Sequence, residues 1–184
     1  MSELASSGQL RAAFLRWALV LVPGIVLLGF LSAALGGSGA GDPWFENLQK
    51  PATYPPPAAF GIVWTGLYVL MALALAMIVT AWGARRRGLA IGTFVVQLVL
   101  NLAWTPLFFG AHQISVALLL LALIDVAVVA TVAVFYRVRP RAAFLLVPYL
   151  VWVLFATLLN WQFLQLNPGA DGHRSSSAAV RVQL

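Results

Sequence analysis

The sequence predicts an all-α membrane protein, a bundle of five transmembrane helices, and three observations carry that prediction. Hydrophobic residues make up 62% of the 184-residue chain and charged residues 9%, whereas a soluble domain is about half apolar and about a quarter charged. The mean hydropathy is +0.94. Five apolar stretches, at about 17–35, 58–82, 89–109, 114–136 and 142–166, each approach or exceed the roughly 20 residues a helix needs to cross the hydrocarbon. Barrel strands would alternate polar and apolar residues. Val116-Ala117-Leu118-Leu119-Leu120-Leu121 is instead continuously apolar.

Gly, Pro or Arg bounds each span, as expected of segment ends. Five helices put the N-terminal segment 1–16, the second loop and the fourth loop on one side, with Arg11, Arg16, Arg85, Arg86, Arg87, Arg137, Arg139 and Arg141. The opposite side carries Lys50, Arg174 and Arg181. Because positive loops stay in the cytoplasm, the N-terminus is expected inside and the C-terminus outside, in a bacterial plasma membrane. The first span has a second reading. Arg11 and Arg16 ahead of an apolar run ending Leu31-Ser32-Ala33-Ala34 also fit a cleavable signal peptide. The formal charge of +6 points to anionic headgroups rather than nucleic acid, since the basic residues sit between apolar runs. The lipid bilayer is thus the first expected partner. The tail 168–184, small and polar, is expected to be disordered.

One connection is long. Loop 36–57 holds four glycines up to Gly41, then Asp42-Pro43-Trp44-Phe45, Lys50-Pro51 and Pro55-Pro56-Pro57. Supple glycines, an apolar pair and a stiff return suit a lid over a cavity mouth, and long loops in compact domains are often functional. A headgroup-level aromatic anchor is the alternative.

Three helix faces combine rings with amides. Gln97, Asn101, Thr105 and Phe108 share one face of the third span, with Trp104 beside it. Phe60, Trp64, Tyr68 and Met71 align on the second span, and Tyr149, Trp152, Ala156, Asn160 and Phe163 on the fifth. Polar groups in a bilayer turn inward, so these faces meet inside the bundle. They form either a packed core with interhelical hydrogen bonds or a cavity of stacking planes and orienting amides.

Asp125 is the one carboxylate within a span, and no cation lies at comparable depth. A structural role is the simpler reading. With no cysteine and two histidines, His112 and His173, the interior lacks paired acid–base groups, so no catalytic residue and no metal site are predicted. Gly88 and Gly92 form a GxxxG, which serves either dimerisation or close packing within one bundle.

The motifs Trp44-Phe45-x-x-Leu48-x-Lys50-Pro51, Phe60-Gly61-x-x-Trp64-Thr65-x-Leu67-Tyr68, Asn101-x-x-Trp104-Thr105-Pro106-x-Phe108-Phe109-Gly110 and Pro148-Tyr149-x-x-Trp152-x-x-x-Ala156-x-x-x-Asn160 resemble the tryptophan-rich sensory protein/translocator protein family (TspO/MBR). The resemblance covers about residues 17–167. It implies a five-helix bundle, often a homodimer, with a lidded cavity for tetrapyrroles such as protoporphyrin IX or heme, and no obligatory cofactor. By that resemblance Trp64 and Trp152 are cavity tryptophans, Trp44 and Phe45 the lid pair, Asn101 a polar wall and Ala156 a small residue beside the ligand. The implied roles are porphyrin sensing, handling or stress regulation. Light-dependent porphyrin breakdown is an activity the resemblance adds. Departures also count: Phe45 stands where the lid pair usually ends in tyrosine, and Trp161 and Gln165 break the animal sterol pattern, so sterol binding is not supported. The competing readings are a small transporter of porphyrins or other amphipathic solutes, and a scaffold subunit with a filled core.

Overall fold

A computed structural model describes residues 6–37 and 42–172. Among these, five helices are long and apolar enough to cross a membrane and no strand occurs. They are α1 (Ser7–Gly36), α3 (Pro57–Val79), α4 (Arg87–Thr105), α5 (Ile114–Val138) and α6 (Pro140–Leu166). A short helix α2 (Pro43–Asn47) interrupts the long loop. Neighbours close a ring in the order α1, α3, α6, α5, α4 and back to α1. Large apolar side chains such as Leu19, Ile62 and Leu119 point outward from it, towards lipid.

α1 starts well before position 17 because a capping box nucleates it. The Ser6 hydroxyl accepts from the Gln9 amide at 3.3 Å, and the Ser6 amide donates to Gln9 Oε1 at 2.8 Å. Gly37 ends it in the left-handed conformation, φ 66°. The third span differs from a plain helix through 109. Pro106 has no N–H, so the Leu102 carbonyl loses its normal partner, and Ser32 Oγ of α1 donates to it at 2.6 Å. The chain then continues as a π-turn, Pro106–Gly110, closed by Ala111 N donating to Pro106 O at 2.9 Å.

Two glycines let α1 come close. A Cβ on Gly29 would lie 2.1 Å from the Tyr68 ring, and one on Gly36 would lie 2.9 Å from the Thr105 backbone. On the arginine-rich side, Arg87 Nε donates to Val79 O at 2.9 Å and Arg139 Nη2 to Thr80 O at 3.5 Å. These two cations thereby serve the free carbonyls at the end of α3. This half of the bundle is filled: Met71, Ile78, Phe94, Phe135 and Leu146 are fully buried.

The chain beyond α6 departs from expectation. Pro168–Ala170 form a 3-10 turn. Ser115 N donates to Asp171 Oδ1 at 3.1 Å, and Gly172 N to His112 O at 2.8 Å. Composition alone suggested disorder from 168, but these bonds are made to turns that only the folded bundle brings near. The part of the expected tail from His173 onward lies outside the described residues, as do positions 38–41 of the loop.

Candidate functional site

Asp42 caps α2 by accepting from Trp44 N at 3.0 Å, with Pro43 at the first helical position. Lys50 closes its other end, donating to Phe45 O at 2.6 Å and Glu46 O at 2.7 Å while its ammonium sits 5.0 Å from the Phe45 ring centre. This rigid turn aims both lid rings at the bundle. Trp44 is buried, stacked on His112 at 4.3 Å and edge-on to Phe108 at 5.6 Å. Phe45 meets Phe109 at 5.1 Å and Phe163 at 5.7 Å.

Two runs of rings descend from the lid. One passes from Phe108 to Trp104, stacked at 5.1 Å. The other passes from Phe45 through Tyr54 and Phe60 to Trp152, in steps of 6.0, 5.4 and 5.9 Å. Burial raises the Tyr54 hydroxyl above its usual pKa, so it stays a neutral donor at physiological pH. Deeper, Trp64 lies 5.4 Å from Tyr68 and 6.3 Å from Tyr149. The Tyr68 hydroxyl donates to Asn101 Oδ1 at 3.2 Å.

The polar inventory is incomplete in a specific way. Gln97 is 1% exposed, and neither its amide nitrogen nor its amide oxygen has a partner in the described structure. Trp104 Nε1 and Trp152 Nε1 are likewise buried and unpaired. Each such group costs about 1–3 kcal/mol if left so. A recess of about 460 Å³, within the range of small-molecule sites, lies between α3 and α6. Its walls are apolar and include Pro55, Val63, Val151 and Trp152. Exposed Val151 marks its lipid side. Of the residues expected to contact a ligand, Trp152 alone lines this recess, and the aromatic ones under the lid stand ring against ring.

Asn160 bridges two helices, and the glycine pair faces outward. Asn160 Nδ2 donates to Ile114 O at 3.0 Å, tying α6 to the start of α5. Asn160→Ala is therefore expected to lower stability by about 1 kcal/mol in detergent thermal unfolding. Gly88 and Gly92 lie on the outer surface, with nothing within 4 Å of a Cβ at either, which removes close packing inside one bundle as their explanation. Ala156 packs against the core beside Trp152. Sequence reasoning missed His112, Tyr54, Phe109 and Asn167. The first two carried an aromatic signal in the right loops; Asn167 carried none.

The chain matches the TspO/MBR family over residues 19–166. It belongs to that family. Relatives include the human protein named "Translocator protein", 39% identical over 162 residues covering 83% of this chain and 96% of that protein. The "Tryptophan-rich protein TspO" of Chlorobaculum tepidum is 40% identical over 126 residues, covering 68% and 80% respectively. The "Tryptophan-rich sensory protein" of Cereibacter sphaeroides is 38% identical over 126 residues, covering 68% and 78%. Family membership and five apolar helices together make this an integral, multi-pass TspO/MBR membrane protein.

Proposed function

We propose that this TspO/MBR protein binds a tetrapyrrole, protoporphyrin IX or heme, beneath the lid and acts in porphyrin sensing, handling or stress regulation. The observation that carries the reading is the set of buried, unpaired polar atoms on Gln97, Trp104 and Trp152, set among broad aromatic planes. Such atoms cost stability in a filled core, whereas a flat ligand with polar edges supplies partners for them and faces for the rings. Trp44 and Phe45 cover the ligand from above. Phe60, Trp64, Tyr68, Phe108, Tyr149 and Trp152 offer stacking surfaces, Gln97 and Asn101 orient it, and Ala156 leaves room beside it. Admitting a macrocycle requires the contacting rings to separate.

Of the groups able to ligate a heme iron, Met71 and Tyr149 are fully buried, the Tyr68 hydroxyl is held by Asn101, and His112 is stacked on Trp44 with its Nδ1 buried. Stacking, not an axial bond, is the mode proposed. The recess between α3 and α6 favours one second reading, lateral exchange of amphipathic solutes with the bilayer. We further propose a homodimer through the outward Gly88 and Gly92 face, and a bacterial plasma membrane with the arginine-rich side in the cytoplasm.

The test is a protoporphyrin IX titration of the detergent-purified protein in the dark, read by tryptophan fluorescence. Saturable quenching is expected at stoichiometric ligand. Trp64→Phe with Trp152→Phe should weaken affinity by about tenfold, at about 0.5–1.5 kcal/mol per stacking partner. Quenching that never saturates and is equal in both proteins would sink the reading.

A further inference from the structure

Residues 167–172 are bonded both to the lid loop and to the start of α5. The Asn167 side chain makes three hydrogen bonds: Oδ1 accepts from Gln49 N at 2.8 Å, while Nδ2 donates to Gln49 O at 3.0 Å and to Phe163 O at 2.9 Å. The first two bonds pair one side-chain amide with both backbone groups of a lid-loop residue. That fixes the loop's height and angle on the end of α6. Three residues on, Ala170 O accepts from Trp44 Nε1 at 3.3 Å, so the buried lid tryptophan is held from the same segment. The far end is anchored independently. Gly172 N donates to His112 O at 2.8 Å in the turn after the π-turn, and Asp171 Oδ1 accepts from Ser115 N at 3.1 Å in the first turn of α5.

Backbone geometry shows that this anchor is built. Gly172 has φ 72°, a conformation most side chains avoid, and His112 itself has φ 56°. The His112 whose carbonyl receives Gly172 also presents the ring on which Trp44 stacks. One short segment thus ties the lid to α6 at one end and to the floor under the lid at the other.

We propose that residues 167–172 are a strap that holds the α2 lid closed, with Asn167 as the positioning residue and Gly172 as the anchor. Releasing either end lets the lid open without unfolding the bundle. The consequence for ligand retention rests on the porphyrin reading above; the lid's position does not.

Hydrogen–deuterium exchange of the full-length protein in detergent, without ligand, tests the strap directly. Asn167→Ala and Gly172→Pro should each speed exchange of residues 44–49 by about tenfold, with α3, α4 and α5 beyond its first turn unchanged. Gly172→Pro removes the donated hydrogen and forbids the positive φ without touching α6, so it separates the strap from a mere fraying of the α6 end. It also keeps the test alive if Asn167→Ala fails to fold. Protoporphyrin IX, where it binds, should leave both variants about tenfold faster. Faster lid exchange in a protein that shows no saturable porphyrin binding would uphold the strap and overturn the porphyrin reading. Lid exchange at the wild-type rate in the folded variants would overturn the strap, whatever the porphyrin does.

Discussion

Gly36→Ala is expected to lower stability by about 3 kcal/mol. The added Cβ would lie 2.8 Å from Thr105 Cγ2 and 2.9 Å from both the Thr105 carbonyl carbon and its oxygen. A flexible side-chain tip moves aside cheaply, whereas a backbone carbonyl does so only by shifting α1 or α4. Neither is free, because Ser32 Oγ one turn earlier is bonded to Leu102 O at 2.6 Å. Thr105 leads directly into the π-turn that sets Phe108 under Trp44, so the damage should reach the lid as well as the helix pair. Gly24→Ala on the same helix is the control: nothing lies within 4 Å of its Cβ, and higher helix propensity should leave stability equal or slightly raised. Thermal unfolding in one detergent compares them. A Gly36→Ala protein as stable as Gly24→Ala would show that α1 does not approach α4 this closely.

The contrast between these glycines marks where sequence reasoning stopped. The five spans were legible because length and hydropathy alone determine what can cross a bilayer. The inward faces were legible too, since Gln97 and Asn101 mark one side of α4 and the rings follow their spacing. What the rings do with one another was not, because contact depends on how five helices assemble. Pro106 was visible, but not that Ser32 would take over the carbonyl it strands. Periodicity places the Asn160 side chain on a face without saying which carbonyl waits there; Ile114 O does. The strap left no trace of its own. Ala170 and Gly172 act through backbone atoms, and Asn167 carried no signal of its own. Side-chain chemistry can be read from a chain; backbone chemistry becomes specific only once the fold brings two segments together.

Asp125 offers the sharpest test of a structural against a functional reading. It lies within α5, and its Oδ2 is 2.8 Å from the Thr157 hydroxyl of α6, which is also 3.0 Å from Val153 O. A hydroxyl carries one hydrogen, so both contacts are hydrogen bonds only when the carboxyl brings a second. Asp125 Oδ1 is buried without a partner. Thr157→Val should then cost about 1–3 kcal/mol, since it strands a carboxyl in an apolar seam. Asp125→Leu should cost less, because it removes the polar group rather than its partner. The double variant Asp125→Leu with Thr157→Val should be close to wild type and more stable than Thr157→Val alone, a coupling of about 1–2 kcal/mol in a double-mutant cycle. Porphyrin affinity should stay the same throughout, as neither residue shares a ring contact with the lid cluster. Additive losses in the cycle would show that the two side chains do not act as a pair. A fall in affinity in the stable double variant would move Asp125 from the framework of the bundle into its site.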